Sequence, residues 1–417
     1  MKKYLLVEPN FPIPAKSKNH HNFLPIGLLK LASYLRENGN KVKLVRGEAD
    51  SYRLVAIKRF KPTEIWITSL FTYWARHVKV VVQYYKGVFP KATIVVGGIY
   101  ASLIDKKEVK KYTGCDKVYQ GVHPKAEEYE PAYDLIENNN PHPVDYQIIH
   151  ASRGCKRRCS FCGTWQIEPA FIAKDTIEGE IIYRKIVFYD NNFLMNPNVE
   201  DILEELIKLK QKKEILWCES QSGFDGRLLI NNKKLGSMLK QAGFRYPRIA
   251  WDGPYSEHQN ISKQINTLTQ AGYSAENIYV FMIYNWDIPC NEMEKKRIKC
   301  WEWRVQISDC RFRPLTQLFD NYKPRKVGQT NEDYYIHEEA GWDDDLVKQF
   351  RKNVRSQNIC VRQGVDIYSR DLELKKVSPT KVKKLKKMKS RRMKINFMKK
   401  NEISYWIPEQ ATYRINN

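Results

Sequence analysis

No run of about 18 apolar residues occurs anywhere in the chain, so a membrane-spanning helix is not expected. A secretory leader is not expected either. Met1-Lys2-Lys3 is followed by four apolar residues, Tyr4-Leu5-Leu6-Val7, and then by Glu8, Pro9 and Pro12. A leader needs about 7–15 apolar residues, so this opening reads as a first β-strand of a cytoplasmic protein. Cysteines that pair up are missing: the nine form an odd set, three within Cys155–Cys162 and the rest scattered. That excludes a disulfide framework and points to a reducing compartment. Acid is absent between Lys375 and Lys400, where thirteen Lys or Arg stand together. The whole chain carries 71 minus 47, or +24, so this one segment holds more than half of the excess. No internal repeat of 20–50 residues is visible.

The 417 residues suffice for two to three domains, and a 42% hydrophobic share with 12% aromatics describes a folded chain. The first third alternates strands and helices. Tyr4–Val7, Lys41–Val45, Glu64–Thr68 and Thr93–Gly98 are short and rich in β-branched residues, and a helix is expected near Val78–Tyr85. From Pro25 to Gly39, Leu28, Leu31, Ala32 and Leu35 fall at helical spacing, with Gly39 as the stop. Such alternation predicts a Rossmann-like parallel sheet over residues 1–140, with ligands at the strand ends around Asn10, Ser69 and Gly97. A polar, turn-rich linker is expected over 130–143. A second series follows: Gln147–Ile149, Lys185–Tyr189, Glu214–Cys218, Arg248–Trp251, Asn277–Ile283 and Val305–Ile307, with helices at Val199–Lys210 and Lys233–Ala242. Five or six βα units in tandem predict a partial (βα)6 barrel of the TIM type over 141–310. An extension with a helix at Asp343–Arg355 follows over 311–374, then a basic tail over 375–417.

The strongest chemical signal is Ser152-Arg-Gly-Cys155-Lys-Arg-Arg-Cys159-Ser-Phe161-Cys162-Gly163. Three thiols on one short loop can converge on a single metal centre, and three thiolates leave one iron of a cubane cluster open to a further ligand. Zinc is the competing ion, although its structural sites pair Cys-x2-4-Cys with a second ligand pair that this sequence lacks. Core packing is the bland alternative, and Lys156, Arg157 and Arg158 make this a poor core segment.

Cys155-x3-Cys159-x-Phe161-Cys162 resembles the signature of radical S-adenosylmethionine (SAM) enzymes. The resemblance implies that Cys155, Cys159 and Cys162 hold a [4Fe–4S] cluster whose fourth iron is chelated by SAM, with Phe161 near the adenine. It implies reductive cleavage of SAM, fed by an external electron donor, to a 5′-deoxyadenosyl radical that abstracts hydrogen from a substrate. Pro25-Ile-Gly-Leu-Leu-Lys-Leu-Ala-Ser-Tyr-Leu-Arg, Val96-Gly-Gly98, Pro131-Ala-Tyr-Asp134 and Phe188-Tyr-Asp190-Asn-Asn-Phe193 are similar to the subfamily with an N-terminal cobalamin-binding-like domain. Two departures stand out. The Asp-x-His-x-x-Gly motif that supplies a lower cobalt ligand is absent, which leaves cobalamin binding open. The glycine expected after the fifth strand is replaced by Tyr284-Asn285. If cobalamin binds, the resemblance implies methyl transfer. Two neighbouring readings are an RNA methylthiotransferase-like enzyme and a non-enzymatic, zinc-containing nucleic-acid-binding protein.

The cofactor-facing candidates are Phe161, Gly163, Asp190, Asn192, Ser222 and Asp252, the last four near strand carboxyl ends, where a barrel's active face lies. Glu178-Gly179-Glu180 reads as solvated helix surface. Cys290, Cys300 and Cys310 lie ten apart, a spacing without chelate logic, and read as structural. Arg311 and Arg313 are read as surface charge or as an anion contact, and His20-His21 as exposed loop. Lys381–Ile395 has the cation density of an arm that binds nucleic acid. Val382, Leu385, Met388 and Met393 also suggest an amphipathic helix on a membrane surface, with a solvated tail as the plain alternative.

Overall fold

The computed structural model describes residues 1–13, 24–47, 51–137 and 144–409. His20, His21 and the linker residues 138–143 lie outside the described residues. The chain divides into two compact units: Met1–Asn192 with Arg313–Tyr322, and Phe193–Phe312 with Lys323–Asn417.

In the first unit, strands β1 (Lys3–Glu8), β2 (Lys41–Arg46), β3 (Glu64–Ser69), β4 (Thr93–Gly98) and β5 (Lys117–Val118) form one parallel sheet in the order β2-β1-β3-β4-β5. Leu5, Leu6 and Val7 are fully buried because helices cover both faces of such a sheet, and both faces must then be apolar. Helix α1 (Ile26–Glu37) buries Leu28, Leu29, Leu31, Ala32 and Leu35. Helices α2 (Ser51–Phe60) and α3 (Ala75–Val88) follow β2 and β3; α3 turns Val78, Val81, Val82 and Tyr85 to the core. Short helices α4 (Ile99–Leu103) and α5 (Lys106–Thr113) lead to β5, and α6 (Pro124–Glu127) and α7 (Asp134–Glu137) follow it. Strand order reverses at β1/β3, and in doubly wound sheets ligands bind outside the strand carboxyl ends at that point.

The first unit continues with β6 (Gln147–Ile149), which pairs in parallel with β9 (Lys185–Phe188). Between them, β7 (Ser152–Arg153) and β8 (Ile172–Ala173) form an antiparallel ladder, with Ser152 opposite Ala173 and Arg153 opposite Ile172. The cysteine motif and helix α8 (Thr164–Ile167) therefore form an excursion closed at its base.

The second unit alternates β and α again. Strand β10 (Trp217–Ser220) follows helix α9 (Val199–Gln211), and helices α10 (Gly226–Asn231) and α11 (Lys234–Gln241) lead on to β11 (Arg248–Ala250). Strands β11, β12 (Tyr279–Tyr284) and β13 (Gln306–Arg311) form a parallel sheet in that order, with α12 (His258–Gln270) and α13 (Cys290–Glu302) as the crossovers. Helix α14 (Asp344–Gln363) caps this sheet. It is longer than expected because Gly364, in the left-handed conformation (φ +61°), supplies the stop. The architecture is mixed α/β with parallel sheets; a closed barrel is not among its observed features. No helix among the described residues is long and apolar enough to cross a membrane.

Four local expectations need correction. The strand expected at Glu214–Cys218 is Trp217–Ser220, since Glu219 is a buried strand residue whose charge is matched by Arg245 and Arg248. Residues 174–184 hold a turn at Glu178-Gly179 and no helix. Arg311 is buried with its guanidinium over the Tyr334 ring, so it is not surface charge. The basic segment is not a loose tail, because α16 (Pro379–Lys387) and α17 (Arg391–Lys400), preceded by the short α15 (Arg370–Glu373), bury Leu385, Met398 and Ile403 in a small core of their own. Met393 is 55% exposed there and does not share the buried face.

Candidate functional site

The cysteine excursion leaves β6 at a carboxylate. Asp190, fully buried just after β9, accepts from the Ala151 N–H at 3.0 Å, and its other oxygen accepts from the Ser152 N–H at 2.5 Å and the Ser152 hydroxyl at 2.7 Å. Burial outweighs these three donors and pushes the carboxyl up to about 6. Asp190 thus fixes the start of the loop. Gly154 follows with φ +76°, and a Cβ there would lie 2.2 Å from the Ala170 carbonyl oxygen, so only glycine fits this close approach.

Glu168 holds the loop from inside. One of its oxygens accepts from the Gly154 N–H at 2.7 Å and from Asn191 Nδ2 at 3.2 Å, and the other pairs with Arg153 at 2.8 Å. Thr164 donates to Asn191 Oδ1 at 3.2 Å and lies 3.3 Å from Cys162 Sγ. Trp165 Nε1 donates to the Cys159 carbonyl at 3.2 Å, and the Cys162 N–H to the same oxygen at 3.1 Å. Cys155, Cys159 and Cys162 are half-buried, as is Phe161, while Lys156, Arg157 and Arg158 are exposed beside them. Three thiols on one pinned loop are a soft donor set, suited to a thiophilic metal or an iron–sulfur cluster. As folded they are not drawn to a common point: among the described residues no group of three or more His, Cys, Asp or Glu is gathered for a metal ion. The neighbours just named bond to the loop's backbone and to Thr164, and none of those bonds pulls the three thiols toward one another.

The loop lies against the ligand-binding end of the Rossmann-like sheet. A Cβ on Gly163 would meet Leu103 of α4 at 2.9 Å. A cavity of about 410 Å³ opens there, within the usual range of small-molecule sites. Its walls come from β1, β3 and β4 (Glu8, Ser69, Gly97), from Leu28 of α1, and from Arg153 and Glu168 of the cysteine excursion. Ser69 donates to the Gly97 carbonyl at 2.7 Å and accepts from the Ala101 N–H at 3.2 Å, locking the ends of β3 and β4 together. Gly98 has φ +93°, and a Cβ would sit 2.3 Å from the Ser69 carbonyl oxygen.

Charges around this cavity are matched in a chain. Lys30, on α1, donates to Glu127 at 3.0 Å; burial pulls its ammonium below the ordinary lysine range, against the pull of Glu127. Arg153 lies 3.8 Å from the same Glu127 carboxylate and binds Glu168. Glu8, buried at the end of β1, pairs with Arg46, and burial raises its carboxyl despite that cation. The sequence reading missed Lys30, Glu127, His150, Arg153 and Glu168 as a group. Partners 97 residues apart leave no local pattern, and the only trace is charged residues within otherwise apolar elements.

The other candidates fall elsewhere. Asn192 is buried in the first unit, and it is Asn191 that bonds Glu168. Ser222 is exposed in the second unit. Asp252, also in the second unit, follows β11; burial raises its carboxyl to about 6, with Lys296 pulling it the other way. Lys296 itself is fully buried and donates to the Trp251 and Gly253 carbonyls at 2.7 and 2.9 Å. Cys290 and Cys300 are buried on α13 and Cys310 is exposed on β13. Arg313 pairs with Asp320 at 2.6 Å.

Fold and cavity together define a doubly wound domain with a ligand site at its switch point. Residues 17–128 match the family described as the B12 binding domain, which supports cobalamin as that ligand. Among solved structures, a novel cobalamin-binding protein from Desulfitobacterium hafniense DCB-2 is similar at 14% identity over 30% of this chain, with a TM-score of 0.22. The chain spans 55% of that protein's length. A LacI family transcriptional regulator, CCPA from Weissella paramesenteroides, solved with bound glucose, is similar at 10% identity, covering 74% of this chain and 95% of its own, with a TM-score of 0.20. No curated protein matches.

Proposed function

We propose that the protein is a radical SAM enzyme that works with cobalamin, and that its reaction is methyl transfer. The observation that carries this reading is the shared wall: the cavity of the B12-type domain is lined by Arg153, Ile167, Glu168 and Asn191, which also brace the three-cysteine loop. Cys155, Cys159 and Cys162, not gathered at one point as folded, would have to close around a [4Fe–4S] cluster to hold it, and the cavity residues from Glu8 to Gly97 would hold part of a corrinoid. When bound, the cluster supplies one electron to cleave SAM into a carbon radical, and cobalamin supplies a methyl carrier. The protein's share is positional. Asp190 and Glu168 fix the loop backbone, buried apolar side chains such as Leu28 and Ile67 line the cavity, and Lys156, Arg157 and Arg158 would offset the charge of three metal-bound thiolates. The parallel order β11-β12-β13 suits part of a TIM-type barrel, which the reading assigns to the catalytic core.

A nucleic-acid substrate is the second reading, favoured by the exposed cations of α16 and α17. The test is anaerobic purification, cluster reconstitution and incubation with SAM and dithionite. The reading expects about four irons per chain, 5′-deoxyadenosine from wild type and none from Cys159→Ala, and a methylated product only with added cobalamin. A colourless protein with one zinc and no deoxyadenosine would refute it.

A further inference from the structure

His150 follows β6 and lines the cavity, 5% exposed. Arg153 Nη1 lies 2.7 Å from its Nε2. A guanidinium has only donors, so Nε2 must accept, and in the neutral ring the hydrogen then sits on Nδ1. That Nδ1 has no hydrogen-bond partner among the described residues. A buried donor left unpaired costs about 1–3 kcal/mol, which asks for an acceptor supplied from outside the chain.

The character of that acceptor follows from the surroundings. Lys30 is matched by Glu127, Arg153 by Glu127 and Glu168, Lys174 by Glu180, and Arg46 by Glu8. Among the described residues the cations named here are each paired with a carboxylate, and Arg153 Nε is a second buried donor without a hydrogen-bond partner, so an oxygen acceptor that brings no net charge of its own fits best. Resting on the cobalamin reading above, we infer that His150 Nδ1–H donates to a carboxamide carbonyl on the rim of the corrin ring. His150 is thereby a binding residue for the corrinoid, contributed by the segment that leads into the cysteine loop. Arg153 is the positioning residue that sets its tautomer.

The test titrates the full-length protein with hydroxocobalamin and with cobinamide, which lacks the nucleotide tail, reading affinity by equilibrium dialysis. His150→Phe keeps a planar ring without the donor and is expected to weaken both corrinoids about three- to tenfold. His150→Asn returns a donor near the same place and should recover most of the loss. Unchanged affinity in His150→Phe overturns the inference while leaving cobalamin binding intact. A loss seen with hydroxocobalamin but not cobinamide overturns the rim amide and moves the acceptor to the tail. No binding by wild type overturns the cobalamin reading itself, and the inference with it. Should the phenylalanine variant fail to fold, histidine-selective 15N NMR of the wild type decides. An Nδ1–H tautomer whose proton moves downfield on adding hydroxocobalamin supports the inference, and an Nε2–H tautomer or an unmoved resonance overturns it.

Discussion

Asp190→Asn is the substitution whose effect the structure defines most closely. The wild-type carboxyl is driven from an ordinary 3.8 up to about 6 by burial, even though three donors point at it. A group with a raised folded-state value contributes stability that is complete below the unfolded value, near pH 4, and is lost as pH climbs through about 6. At 1.36 kcal/mol per pH unit, the displacement corresponds to about 3 kcal/mol in all, of which roughly half is present at pH 5 and almost none at pH 7.5. Asparagine does not titrate, so it removes this dependence and leaves that of the other carboxyls. Urea unfolding of both proteins at steps between pH 5 and 7.5 should show wild type gaining about 1.4 kcal/mol on the variant as pH falls. Reversing the sign, or finding a gap constant to within about 0.3 kcal/mol, would refute the claim that burial dominates at this carboxylate.

Glu219→Gln should cost about 3 kcal/mol in thermal or urea unfolding, because Arg248, bonded at 2.6 Å and mostly buried, loses its counter-charge; a loss under about 1 kcal/mol would show the pair to be dispensable. Gly98→Ala forces an alanine into an extended positive-φ conformation (φ +93°, ψ −166°) that is essentially glycine's alone, about 1–3 kcal/mol, and puts a Cβ 2.3 Å from the Ser69 oxygen; it should abolish retention of hydroxocobalamin while lowering the melting temperature. An unaltered melting temperature would contradict the packing of β3 against β4. Exchanging Lys381, Lys383, Lys386, Lys387 and Lys389, all exposed, for glutamine should flatten the salt dependence of RNA-oligomer binding by about 0.7 in log–log slope for each cation that touches a phosphate. Binding by wild type that does not weaken with salt would remove these helices from the functional account.

The N-terminal sheet was legible because its strands are continuous apolar runs: Tyr4–Val7, Glu64–Thr68 and Thr93–Gly98 each lie within two residues of the observed limits. Helix α2 escaped notice because Leu54, Val55, Ala56 and Ile57 are bunched and not spaced by turns, and Val55 faces solvent. Strand β10 was displaced because a buried glutamate reads as a surface residue until its arginines, 26 and 29 positions on, are seen. At the site, the cysteine spacing is local and could be read directly. Asp190 was chosen for a cofactor contact, yet its carboxylate is occupied with Ala151 and Ser152. Lys30, Glu127 and His150 come from three distant elements, and only folding brings them to one cavity.

The close approach of Gly163 to Leu103 has a thermodynamic corollary. The cysteine excursion and the switch-point cavity share a wall. If the proposed cluster and corrinoid both bind, linkage requires reciprocity: whatever factor a ligand in the cavity adds to the loop's affinity for metal, metal in the loop must add to the cavity's affinity for that ligand. On that reading the order in which the two sites fill would change the rate of assembly without changing its end point.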